Sequence, residues 1–145
     1  MTARKGFALV AALLALLLIA AIIASVFFAA MEETRITAAS AAKEVALSAA
    51  ESAIEVTIRD WTATSGDSIR VGGVHSSAVG GFGMPVTVSV TRLDATLYSI
   101  VAEARSVSSQ SFATRRIGAI VRAQVAPDHS ITIDRVPQRW WSELF

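Results

Sequence analysis

Apolar and polar positions divide the chain into three stretches of different period. Phe7 to Ala30 is an uninterrupted run of 24 residues in which Ser25 is the only polar side chain. It holds no Gly and no Pro, and as a helix at ~1.5 Å per residue it is about 36 Å long. A hydrocarbon core about 30 Å thick is spanned by such a run with some tilt. From Met31 to about Arg59 the pattern stays helical but becomes mixed. Leu47, Ile54, Ile58 and Trp61 recur at spacings of 7, 4 and 3, which sets them on one stripe, while Lys43, Glu44, Glu51 and Glu55 interleave elsewhere. A helix of this length is expected to lie in lipid along its lower half and to pack its upper half through that stripe.

The remainder, residues 61–145, reads as short strands. The polar stretch Trp61 to Asp67 predicts the helix end. Ile69 to Val74 reads as a short strand and Ser76 to Gly83 as a loop, with Gly80-Gly81-Phe82-Gly83 its loosest part. Pro85 to Arg92 alternates strictly, with Val86, Val88 and Val90 on one side against Thr87, Ser89 and Thr91 on the other. Leu93-Asp94-Ala95 fits a turn. Thr96 to Ala104 places Tyr98, Ile100 and Ala102 on one face. Arg105 to Ala113 reads as a Ser-rich loop. Thr114 to Val125 places Ile117, Ala119, Val121 and Ala123 opposite Arg116, Gly118 and Arg122. Adjacent strands with short connections predict an antiparallel meander of three or four strands. Its one apolar face needs a cover, and the helical stripe supplies it. The fold class is therefore α+β: a long N-terminal helix with a small antiparallel sheet packed on its upper half. A head of about 85 residues has a small core and is expected to be modestly stable alone. Ile131-Thr132-Ile133 is a further short alternating run. Trp140, Trp141 and Phe145 are expected to pack back onto the sheet or helix rather than stand in water.

Composition narrows the function. Of 145 residues 53% are hydrophobic and 17% charged, the net charge is +1, and there is no Cys. Disulfide frameworks, thiolate metal sites and cysteine nucleophiles are excluded, as is disorder throughout the chain. The near-neutral charge argues against wholesale nucleic-acid binding. No cofactor or metal is expected. His75 and His129 are the only histidines, and neither stands at metal-ligand spacing from carboxylates. Asp128-His129-Ser130 holds the residue types of a hydrolase triad, but sequence neighbours cannot line up as one. The chain is therefore expected not to be an enzyme. Arg105, Arg115, Arg116 and Arg122 form the one basic concentration. They are expected on the solvated face of a strand pair, with DNA-backbone contact as the alternative.

The apolar run admits three readings. A cleavable secretory signal has a shorter apolar region and small residues before its cut, whereas Phe27 and Phe28 stand two residues before Ala29 and Ala30. An uncleaved anchor is sound: Arg4 and Lys5 precede the run, Glu32 and Glu33 follow it, and positive flanks stay cytoplasmic. The third reading comes from the junction Arg4-Lys5-Gly6-Phe7, followed by Ala8-Leu9-Val10. A basic leader ending in Gly, then Phe, then an apolar helix resembles the processing site of type IV prepilins. The resemblance implies a leader at 1–6, cleavage between Gly6 and Phe7 by prepilin peptidase, and N-methylation of Phe7. It further implies a helix at 7–30 that moves from the inner membrane into a filament core, an amphipathic extension at 31–60, and a periplasmic head at 61–145. The other pilin or pseudopilin subunits are the implied partners. Major pilins carry a Glu at the fifth residue after the cut, where this chain has Ala11, and a helix-breaking Pro that is also missing. With the Ala-Ala-Glu block around Ala49-Ala50-Glu51, this is closest to PilX-type minor pilins. Those sit at or near the tip or priming complex of a type IV pilus or related secretion filament. K-type pseudopilins also lack the Glu but carry a much larger head. The rival class is a single-pass, membrane-anchored periplasmic module whose head binds DNA or a surface ligand.

Overall fold

The computed structural model describes residues 3–61, 68–107, 112–125, 131–137 and 142–144, without side-chain placement at 3–6, 107 and 125. One helix, α1 (Ala3–Arg59), precedes six strands: β1 (Val74–Val79), β2 (Val86–Arg92), β3 (Leu97–Val107), β4 (Phe112–Val125), β5 (Ile131–Arg135) and β6 (Ser142–Leu144). The fold is α+β. The chain forms two compact units, residues 1–38 and 39–145, and the second includes the last part of α1 together with the whole sheet.

Helix α1 is uninterrupted because neither Gly nor Pro occurs between Phe7 and Arg59. It closes with the Asp60 N–H on the Val56 carbonyl (2.9 Å) and the Trp61 N–H on the Ile58 carbonyl (3.3 Å), a tightening last turn. Arg59 lies in that turn, where a cation suits the helix dipole. Its Nε donates to Asp60 Oδ1 at 2.9 Å. That hydrogen bond holds the Asp60 carboxyl below its ordinary range.

The sheet order is β1-β2-β3-β4-β5, with β6 also on β4, and every pairing is antiparallel. Strands β5 and β6 lie end to end along the same edge of β4: β5 covers Val121 to Val125 and β6 covers Arg116 to Gly118. The inner face carries Val86, Val88 and Val90 from β2, Tyr98, Ile100, Ala102 and Ala104 from β3, and Ile117, Ala119 and Val121 from β4, all buried. These are the faces that the alternation predicts, and α1 covers them.

The strand boundaries differ from the sequence expectation in three places. Ile69 to Val74 is not a strand. The Gly73 N–H bonds back to the Arg70 carbonyl at 2.7 Å, and Gly72 holds φ +80° at the third position of that turn, a conformation glycine adopts without strain. The strand begins at Val74 and runs through half of the predicted 76–83 loop, so the loop shrinks to residues 80–85. The predicted loop at 105–113 likewise gives way to strand at both ends. Strand β3 runs to Val107 and β4 starts at Phe112, with Val107 opposite Phe112. The three- or four-stranded sheet thus becomes a six-stranded one.

Candidate functional site

Two surfaces are candidates for function: the apolar part of α1 and the sheet with its attached helix. Among the described residues α1 is the one helix long and apolar enough to cross a membrane, and its apolar window is wholly exposed. Phe7 is 77% exposed, Leu13 55% and Ile19 54%, about a third of a turn apart from one another around the helix. A surface apolar all round belongs in lipid or among other helices. Ser25 does not interrupt it, since its hydroxyl donates to the Ile22 carbonyl at 2.8 Å and leaves no unmatched donor. Thr34 and Thr37 fold back on Ala30 and Glu33 in the same way. The polar boundary follows at Glu32 and Glu33, with Arg35 Nη1 on Glu32 Oε1 at 3.2 Å. The backbone of Gly6 lies inside α1 and Phe7 opens the exposed run. The side chains of Arg4 and Lys5 are outside the described residues.

The predicted stripe packs against the core but is only part of the helix–sheet contact. Ile54 is fully buried, and Leu47, Ile58 and Trp61 are partly buried against the core. The middle of the contact is made by Ala46, Ala49, Ala50 and Ala53, which the stripe did not include. They recur at 3, 1 and 3 residues, a helical face of small side chains, and belong to the same buried cluster as the residues of the sheet's inner face.

The end of α1 is held by an aromatic and cationic cluster. Trp61 meets Tyr98 edge to face, with centroids 5.1 Å apart and planes at 72°. The Arg92 guanidinium lies 5.5 Å from the Tyr98 ring centroid. Its Nη1 donates to the Ile69 carbonyl (3.0 Å) and its Nη2 to the Ala95 carbonyl (2.8 Å), tying the segment before β1 to the β2–β3 turn. Arg92 closes a strand in the sequence, with no sign there of this linking role.

The basic cluster is split by strand parity. Arg105, Arg116 and Arg122 lie on the outer face, and Arg105 pairs with Glu103 at 2.7 Å. Arg115 falls on the inner face with Ile117 and Ala113, contrary to the expectation of one shared solvated face. Its Nη1 bonds Glu143 Oε1 at 2.6 Å, clipping β6 to β4. At the other end of the same edge Arg135 pairs with Glu55 of the helix. A shallow cavity of about 390 Å³ opens beside it, lined by Arg122, Gln124, Asp134, Arg135, Val136 and Pro137.

Strand β6 is also held by a notch. Gly118 is buried on the outer face, and a Cβ there would stand 3.3 Å from Leu144 Cδ1, 3.6 Å from Val101 Cγ2 and 3.7 Å from Ser142 Oγ. The branched side chain of Gly118→Val would occupy the space that Leu144 fills. This variant is expected to lift β6, raising amide hydrogen exchange at Ser142 to Leu144 at least ~10-fold while β2 and β3 stay protected. Unchanged exchange at those amides would show that the notch does not hold the strand.

Among the described residues no group of three or more His, Asp or Glu is placed to hold a metal ion. His75 is exposed on β1. Asp128-His129-Ser130 and the aromatic residues Trp140, Trp141 and Phe145 lie outside the described residues. A long apolar N-terminal helix whose later part packs on an antiparallel sheet is a pilin-like architecture. No protein-family model, no curated protein and no solved structure matches the chain.

Proposed function

We propose that the chain is a non-enzymatic minor pilin or pseudopilin that takes part in the assembly, tip or priming complex of a type IV pilus or related secretion filament. The observation that supports this most is the exposed, all-round apolar surface from Phe7 to Ala30, continuous in one helix with the segment that carries the sheet. In lipid that surface is an anchor; between like helices it is packing area. Cleavage after Gly6 removes Arg4 and Lys5, the two charges that hold the N-terminus at the cytoplasmic face. The freed helix then exchanges lipid contacts for contacts with sibling subunits, which are the proposed partners along with prepilin peptidase.

Ala11 sets the place in the filament. A carboxylate in lipid is costly and is retained where it finds a partner. In pilins with a Glu at that position it is thought to meet the terminal amine of a neighbour. This chain lacks the carboxylate and so cannot make that contact as a repeating subunit does, which favours a terminal position. The head then sits in the periplasm or at the exposed end of the fibre.

Mass spectrometry of the mature chain, isolated from a strain with active prepilin peptidase, tests the reading. The expected N-terminus is N-methylated Phe7. Retention of residues 1–6 would sink it and leave a single-pass anchored head. The DNA-binding alternative drew on four arginines acting together, and Arg115 faces away from the other three.

A further inference from the structure

We propose that residues 80–84 form a clasp over the Ala46 end of the helix–sheet contact, with Phe82 as its seated side chain, and that this clasp opens and closes while the sheet stays intact. The device lies wholly within residues 39–145 and does not depend on the filament reading.

The loop is fixed at both ends and free between them. Val79 and Val86 face each other as the last pair of the β1–β2 ladder. Next to that pair, the Pro85 carbonyl accepts from the Arg105 N–H at 3.1 Å. Among the described residues no backbone hydrogen bond reaches residues 80–84. A segment without such bonds opens at low cost. Gly81 at φ +98° and Gly83 at φ +68° stand on either side of Phe82, in a region that glycine enters without strain. A Cβ added at either would meet nothing within 4 Å, so the backbone there stands clear of the rest of the head. Side chains alone tie the loop down: Phe82 and Met84 pack, partly buried, against the core cluster.

The seat of Phe82 is on α1. It borders a shallow cavity of about 230 Å³ together with Val45, Ser48, Ala49 and Ser52. Empty space beside a side chain forfeits part of its dispersion contact. Phe82 is therefore held less firmly than Tyr98 or Ile54, both fully buried. Two opposing terms of comparable size set the equilibrium. Partial burial of one phenyl ring favours the closed state. The conformational freedom of five residues, three of them glycine, favours the open one.

The position gives the clasp its effect. Phe82 precedes β2 and meets α1 at Ala49 and Ser52, whereas Trp61 meets Tyr98 beyond the last turn of the helix. The clasp thus lies where the buried side of α1 is alanine, at Ala46, Ala49 and Ala50. Closed, it supplies bulk that the helix lacks there. Open, it leaves that end of the contact to short side chains, while the cluster around Tyr98 is untouched.

The absence of Cys makes the test direct. In the full chain, solubilised in mild detergent, Ala49→Cys places a single thiol beside Phe82, where the neighbouring cavity has room for the sulfur. Val121→Cys places one at a fully buried position of β4 and reports opening of the whole head. With a small thiol reagent, Ala49→Cys is expected to label at least ~10-fold faster than Val121→Cys, because a local opening costs less than a global one. Low urea should leave the Ala49→Cys rate unchanged and raise that of Val121→Cys, since denaturant favours an opening in proportion to the surface it exposes. Adding Phe82→Ala is expected to speed labelling at Ala49→Cys at least ~10-fold and to change the Val121→Cys rate less than ~3-fold. An Ala49→Cys rate that matches Val121→Cys or climbs with urea as steeply would show that the loop opens only with the whole head. An Ala49→Cys rate insensitive to Phe82→Ala would show that Phe82 is not the seat. Either result would overturn the proposal.

Discussion

Replacing Ile54 by alanine is expected to destabilise residues 39–145 by about 3 kcal/mol, the usual cost of emptying a fully buried aliphatic site. For a unit of this size that corresponds to a fall in thermal midpoint on the order of 10–20 °C. The cost is high because the neighbours cannot collapse into the space. The buried cluster that holds Ile54 is rich in alanine on both helix and sheet, and side chains that short cannot reach into the vacated volume. Trp61 fluorescence reports the transition, since its ring sits on Tyr98. Ile36→Ala, at a position 64% exposed on the same helix, is the control and should leave the midpoint unchanged. Equal midpoints for the two variants would mean that the helix does not form one wall of the core.

The second large effect concerns maturation. Gly6→Val is expected to leave the chain uncleaved and unmethylated, with the mass of the leader retained in full. Filament or priming-complex assembly that depends on this subunit should be lost with it. The physical ground is charge: Arg4 and Lys5 remain covalently attached to the apolar run and resist passage from the cytoplasmic face into a helical bundle. Head stability serves as the internal control, since nothing between residues 39 and 145 changes. Normal processing and assembly of this variant would remove the filament reading.

Much of the fold is readable in the sequence wherever one side of an element is wet and the other dry. Strands β2, β3 and β4 alternate because α1 covers one face, and Val88, Ile100 and Val121 stand where that alternation puts them. Strand β1 escapes the same logic. Both of its sides meet water, so Val74-His75-Ser76-Ser77-Ala78-Val79 shows no period and looks like loop. The helix–sheet contact is hidden for a different reason. In a segment as alanine-rich as 38–53, Ala46 or Ala50 does not stand out from its exposed neighbours, and attention falls on Leu47 and Ile58 at the rim. Arg115 could have been separated from Arg116 by parity alone, because it shares the face of Ile117. Its run of neighbouring arginines suggested a shared role instead. Strand β6 has no local signature at all: Ser142-Glu143-Leu144 becomes a strand through the Gly118 notch and the Arg115 clip, both distant in sequence.

The alanine face of the helix also bears on where the head yields. Four alanine methyls on the helix side offer few knobs to lock it against the sheet. What keys the helix in place is concentrated toward its C-terminal end: Ile54 in its socket, Glu55 on Arg135, and Trp61 on Tyr98. At the Ala46 end Leu47 alone is a sizeable side chain, and it is only half-covered. Separation of the helix from the sheet is therefore expected to begin at Ala46 and to stop at Ile54, with the aromatic cluster as the fixed, hinge end.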